Sequence, residues 1–338
     1  MKRLTLLAAV PLILALAAWM PAAAADGGAP DPAKVAGPDE CGECHKDEVA
    51  VWRATKHYKS FYELSRNEQA RKIAAQMGVK RIKRDSDCVA CHFLQAQTED
   101  GVKPVSGVAC ESCHGAARDW IKVHNDYGGK GVKKDQETAE HRKQRLEKVK
   151  AAGMIRPSAL YDLAGNCYRC HLVANEKLVN QGGHLPGSEF ELVSWSQGEI
   201  RHNFFSSPDG KQNLVSEKPR QRMMFVMGRA LELEYSLRAV AGAKDKAAYA
   251  VTMAKRAKRA EAWLKKINTA VNRPEIADML AAAASVKLKL NNHDNLIAAA
   301  DKVAAASRRL ASDSNGQDLA GLDELLPPTE KYKGQPAK

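Results

Sequence analysis

All eight cysteines of this 338-residue chain fall in one repeated five-residue pattern, Cys-x-x-Cys-His. It occurs as CGECH at 41–45, CVACH at 88–92, CESCH at 110–114 and CYRCH at 167–171. With so few cysteines and ten histidines, chance supplies roughly 0.006 such motifs, so four copies answer a chemical requirement. A disulfide framework has no use for a histidine after every second cysteine. Zinc ribbons and dithiol redox sites do not need one each time either. The pattern does suit covalent haem, whose vinyl groups take the two thiols while the adjacent histidine reaches the iron from one face. Cys41, Cys44 and His45, Cys88, Cys91 and His92, Cys110, Cys113 and His114, and Cys167, Cys170 and His171 therefore read as four c-type haem sites, the cofactor being four covalently bound haems with their iron.

The N-terminus fits that chemistry. Lys2 and Arg3 precede an apolar run from Leu4 to Met20, and small residues end in an A-x-A pattern at Ala23–Ala25. This is the layout of a secretory signal peptide over residues 1–25, with a retained membrane anchor as the alternative. Pro11 and a marginal length count against the anchor, and no later segment is apolar enough to span a bilayer. The expected location is the periplasm or the extracellular surface. The formal charge of +12 includes the two leader cations. Removing them and adding eight haem propionates and four irons leaves about +6 oxidised and about +2 reduced. Nothing resembles a nucleic-acid module, and a mildly basic carrier favours acidic redox partners or anionic small molecules.

Composition divides the remainder. Residues 26–218 hold every cysteine and nine of the ten histidines, with many glycines, prolines and polar turns. Residues 219–311 lack cysteine, are dense in alanine, and show helical periodicity in four stretches, at 220–241, 245–267, 272–290 and 293–311. Asn272 is the expected N-cap of the third, with Pro274 just inside it. Short polar connections favour an antiparallel bundle or hairpin pair, and residues 312–338 read as a flexible tail.

Six histidines lie outside the motifs and are candidates for the second axial position. His57 follows His45 by twelve residues and His124 follows His114 by ten. On a helix each spacing is too long for both rings to grip one iron, so His57 and His124 should each serve a different haem. His184, in GGHLPG, sits in a shaped loop that can present an imidazole. His202 is either the fourth distal ligand or a pocket residue, while His141 and His293, in highly polar surroundings, read as solvated. Met223, Met224 and Met227 have the spacing of a core stripe rather than of iron ligands.

CGECHKDEVAVWRATKH, DSDCVACH, SGVACESCHGAARDWIKVH and NCYRCHL together resemble the tetrahaem cytochromes of the cytochrome c-554 family, over roughly residues 38–205. The resemblance implies a haem-packed fold with haems in stacked pairs and a role passing electrons from hydroxylamine oxidoreductase. It also implies a set of axial pairs: His57 with His114, His124 with His45, His184 with His171, and His92 on an open, five-coordinate haem. About 100 additional helical residues and the available His202 depart from the family pattern. The expected fold class is mainly α, a multihaem cytochrome c domain with little regular sheet followed by the helical bundle or hairpin domain. The expected function is electron transfer between redox partner proteins. The alternative is a haem enzyme acting on nitric oxide, nitrite or hydroxylamine at the open face opposite His92. Self-association or partner docking through the C-terminal helices, including the basic stretch 254–266, is a further expectation; the plainer reading of that stretch is a solvated helix surface.

Overall fold

The computed structural model describes residues 29–335, so the leader expected over 1–25 lies outside the described residues. Among the described residues, no helix is long and apolar enough to cross a membrane. The architecture is mainly α, with one two-stranded sheet. Leu94–Thr98 pairs antiparallel with Gly101–Ser106 around a tight turn in which Gly101 takes a positive φ.

The N-terminal part is a series of short helices joined by loops. Lys46–Ala54, Lys56–Glu63, Glu68–Gln76 and Ser86–His92 precede the hairpin, and Cys110–His114 and Ala139–Ala151 follow it. Thr55, Asn67, Asp85 and Thr138 each cap the helix that follows by accepting from a backbone N–H of its first turn. The apolar clusters here are small, such as Ala74, Ile82, Val89 and Phe93, or Val35, Leu94 and Ala109. Aliphatic packing alone is too sparse to hold this region, so polar ties do part of the work.

Glu111, between the two cysteines of the third motif, is one such tie and is only 1% exposed. Its Oε1 accepts from the backbone N–H of Ala36 at 2.8 Å and of Ala117 at 2.7 Å, and its Oε2 from that of Gly37 at 2.8 Å. One carboxylate thus fastens the approach to the first motif and the turn leading to His124 onto the third motif.

From Leu160 onward the chain packs conventionally. One apolar cluster runs from Leu160 to Leu326, with the helix Lys218–Gly242 at its centre. Around it pack Leu160–His171, Ala248–Val271 and His293–Asp313, with Pro274–Ala284 between the last two. The fourth motif closes the helix Leu160–His171, so the packing does not break at residue 218. Met223, Met224 and Met227 are buried in this core. The central helix buries charge as well, and each buried charge is paired. Arg222 holds Asp323 through two hydrogen bonds, Tyr161 donates to Glu234 at 2.6 Å, and Arg256 meets Glu232 at 2.9 Å.

Two expectations change. Asn272 is in the left-handed region at φ +45 and ends the helix Ala248–Val271, while Arg273 is the cap preceding Pro274. Asparagine tolerates that conformation better than most residues, which suits a C-terminal stop. The segment 312–338 was expected to be a flexible tail, yet its described part is packed. Leu319 and Leu322 are fully buried in the 3-10 turn Gln317–Leu325. Beyond it the Lys333 N–H donates to the Ser194 carbonyl, and the Lys333 carbonyl accepts from the Glu199 N–H, both at 2.9 Å. Spaced leucines within an acidic, glycine-containing stretch gave too weak a pattern to announce this.

Two substitutions test these ties on the haem-loaded protein by chemical denaturation. Arg256→Met leaves the Glu232 carboxylate buried without its main partner; Arg259, 3.5 Å away, relieves part of that, so a loss of about 3 kcal/mol is expected. Replacing Glu232 by leucine in the same chain should recover most of it. Glu111→Gln sets an amide N–H against a backbone N–H and should cost about 2 kcal/mol, whereas Glu43→Gln at an exposed position should stay within about 0.5 kcal/mol.

Candidate metal centres

Each motif occupies about one turn at a helix end, and the spacing has a simple cause. Residues i, i+3 and i+4 of a helix share a face, so two thiols and an imidazole turn toward the same side. The second motif closes Ser86–His92, the third fills Cys110–His114 and the fourth closes Leu160–His171. The first begins in Pro38–Gly42, and its His45 leads into Lys46–Ala54.

All eight cysteines are free. Among the described residues, no three His, Cys, Asp or Glu side chains converge as ligands of a bare metal ion. A structural zinc site needs four.

The histidines are arranged differently. Each motif histidine faces one histidine from elsewhere in the chain. The ring centroids are 6.3 Å apart for His45 and His124, 6.2 Å for His57 and His171, 6.4 Å for His92 and His184, and 6.3 Å for His114 and His202. First-row metals bind imidazole nitrogen at about 2.0–2.1 Å, so two rings on opposite sides of one ion stand with centroids about 6.3 Å apart. All four pairs meet that requirement. The two remaining histidines do not join them: His141 pairs with Glu137 at 2.8 Å, and exposed His293 with Asp294 at 3.0 Å.

The fit extends to the space around the rings. A cavity of about 2170 Å³ is walled by all eight cysteines and all eight paired histidines, and by neither His141 nor His293. A pocket for one small molecule holds about 300–1,000 Å³, so this cavity has room for several large groups.

These pairs correct much of the expected assignment. His124 does face His45. His57 faces His171 rather than His114, and His184 faces His92 rather than His171. His92 therefore has an imidazole opposite it instead of an open face. His202 faces His114 and is the fourth partner. The reason is topological. In the helix Lys56–Glu63 the Ser60 hydroxyl lies 2.7 Å from the His57 carbonyl and 3.2 Å from the His92 carbonyl, which sets this helix against the second motif and leaves His57 beside the fourth. The loop carrying His184 folds back on the end of Glu68–Gln76, with Gly182 tight against Met77, and so reaches the second motif.

Backbone oxygens fix the rings in a common way. The Nδ1 atoms of His114, His124, His184 and His202 lie 2.6–2.9 Å from the carbonyls of Ile155, Ile121, Leu185 and Ile200. His171 Nδ1 is 2.9 Å from the Ser188 hydroxyl. An N–H donated from Nδ1 to a carbonyl leaves the Nε2 lone pair free, which is the tautomer a metal requires. Burial also favours the neutral ring, holding His92 and His171 down to about 4 and lowering His57, His114 and His124.

Glycines make the close approaches that set this frame. Gly115, at φ +83 directly after the third motif, lies so near Gly153 that a Cβ would stand 2.2 Å from its carbonyl oxygen. That contact brings Ile155 onto His114. Gly187, at φ +91, also passes close to the fourth motif: a Cβ there would stand 2.6 Å from the His171 carbonyl oxygen.

Sequence reasoning missed the residues that orient the rings. Ser188 carries the His171 contact, and its carbonyl accepts from Arg256 at 2.9 Å, so the helical bundle helps to position the fourth motif. Arg256 lies in the basic stretch 254–266, whose cations are largely engaged within the molecule. Arg259 meets Glu189, Lys258 and Lys265 meet Glu261, and Lys266 lies over Trp263. No pattern in the sequence marks these as supports of a metal ligand.

Contacts also order the motifs. The helix Pro38–Gly42 of the first motif packs on Cys110–His114 of the third, which packs on Leu160–His171 of the fourth, where Asn166 donates to the Cys113 carbonyl, and Leu160–His171 packs in turn on Ser86–His92 of the second. The sequence of contacts is first, third, fourth, second.

The family described as cytochrome c554 and c-prime matches residues 40–115, the segment that holds the first three motifs. Cytochrome c-554 of Nitrosomonas europaea is 36% identical over 100 residues, which cover 27% of this chain and 43% of the relative. The chain thus aligns with less than half the length of that relative. No solved structure matches. The likeness to the cytochrome c-554 family is thus carried by the segment that holds the first three motifs.

Proposed function

We propose that the protein is an exported tetrahaem c-type cytochrome that transfers electrons between redox partner proteins in the periplasm. The observation that carries this reading is the set of four imidazole pairs with centroids 6.2–6.4 Å apart. Cys41 and Cys44, Cys88 and Cys91, Cys110 and Cys113, and Cys167 and Cys170 would hold the haems covalently. The axial residues would be His45 with His124, His92 with His184, His114 with His202, and His171 with His57. When bound, haem supplies a one-electron iron couple whose potential follows its axial ligands, burial and nearby charge.

The chain's own residues favour transfer over substrate chemistry. A pair of imidazoles on each iron would take both of its axial positions and leave no coordination site for a nitrogen oxide or hydroxylamine. Nδ1 hydrogen bonds to carbonyls at His114, His124, His184 and His202 keep one or both rings of three pairs in place through a change of charge, which limits reorganisation. Contact of the first motif with the third, the third with the fourth and the fourth with the second supports a continuous path with its ends at the first and second motifs. Redox partner proteins at those two ends are part of this proposal. The enzyme reading needed an open face opposite His92, and His184 occupies that direction.

Intact mass should count four haems per chain, and electron paramagnetic resonance of the oxidised protein should show low-spin iron throughout. The reduced protein should leave carbon monoxide unbound. His184→Ala should convert about one quarter of the iron to a form that binds carbon monoxide. High-spin iron or carbon monoxide uptake in the unaltered protein would instead favour the enzyme reading.

A further inference from the structure

We propose that the surface around the second motif, built from residues 66–84, is the docking face for an acidic electron-transfer protein. The proposal rests on the tetrahaem reading above and adds which end of the path meets which kind of partner. Residues 66–84 contain seven cations and one carboxylate, Glu68. Arg66, Arg71, Lys72, Lys80, Arg81 and Arg84 are exposed, and none has a carboxylate partner among the described residues. This contrasts with the cations of residues 254–266, most of which are paired internally.

The second observation concerns what lies beneath. Ala70, Ile73, Met77, Val79 and Ile82 of the same segment wall the cavity beside Cys88. The segment therefore has an apolar inner side toward the second motif and a cationic outer side toward solvent. Lys83 joins the two by lying 3.6 Å over the Phe61 ring. Leu185, next to the axial candidate His184, is 75% exposed and lines the same cavity. An apolar spot over a redox centre with a charged rim is the anatomy of a transient docking face.

The other end of the path has the opposite sign. Residues 38–48, around the first motif, hold five carboxylates and one lysine. Asp39, Glu40, Glu43 and Asp47 are exposed there. An acidic partner is repelled from the first motif and drawn to the second, so this polarity selects the end at which it exchanges electrons. Charge complementarity of this kind acts mainly on encounter rate and falls with ionic strength.

The test uses the full haem-loaded chain and a reduced, strongly acidic plant-type [2Fe–2S] ferredoxin as probe. Haem reduction is followed by stopped flow across a salt series. The charge-reversed variant Lys80→Glu/Arg81→Glu/Arg84→Glu should react about tenfold more slowly at low salt, with a flatter salt dependence. Lys255→Glu/Lys287→Glu/Lys302→Glu makes the same change in net charge on the helical bundle and should stay within about twofold of the parent. Equal slowing of both variants, or slowing of neither, overturns the proposal. So does a patch-dependent sedimentation with phosphatidylglycerol vesicles while ferredoxin rates stay unaltered, because the partner is then a lipid surface. Haem content and reduction by dithionite are measured first. A chain without four reducible haems overturns the tetrahaem reading and the docking face together. Four reducible haems with unaltered ferredoxin rates overturn the docking face alone.

Discussion

Four pairs of imidazoles, each separated by the width of one metal and its two bonds, are the constraint around which the first half of this molecule is arranged. Such a pair cannot form by local folding, because its members come from distant parts of the chain. Every loop between them must therefore end in a fixed place. Gly115 and Gly187 permit close backbone approaches beside the third and fourth motifs, Glu111 fastens three backbone N–H groups from two other segments to one carboxylate, and backbone carbonyls set the rotation of four of the rings. The apolar clusters here are small, and the interior that aliphatic side chains fill elsewhere is left as the cavity that the motifs and their facing histidines line.

The helical bundle belongs to the same construction. Its central helix packs directly on the helix that ends in the fourth motif, and Arg256 reaches from the bundle to the Ser188 carbonyl beside His171. The cost of burying Arg256 is offset by Glu232, and neither residue touches a ring directly. A bundle that read as an appended domain thus helps to position the histidine of the fourth motif.

What could be read from the sequence followed the range of the interactions. The Cys-x-x-Cys-His motifs are contained in one helical turn, so their number and chemistry were legible at once. The alanine-rich helices at Lys218–Gly242, Ala248–Val271 and His293–Asp313 were legible too, since their periodicity is local. The histidine that faces each motif was not, because His57, His184 and His202 are placed by tertiary contacts such as Ser60 with His92 and Gly182 with Met77. The pairing that the family likeness implied agrees with the ring geometry at His124 and differs from it at His57, His92 and His184. The likeness is strongest over residues 40–115, whereas His184 and His202 lie beyond it. The packing of residues 317–326 was hidden for a different reason, four leucines being too few to outweigh the polar residues around them.

Cys167 packs against the bundle core at the edge of the shared cavity, and the central helix beside it begins only at Lys218. Lys333, farther along still, ties Ser194 and Glu199. The wall behind the fourth motif is therefore made by segments that lie far along the chain, whereas the first and second motifs sit in small clusters of their own. Cooperative opening follows such apolar clusters. The fourth motif consequently opens with the bundle, as one unit, and the other motifs can breathe without it.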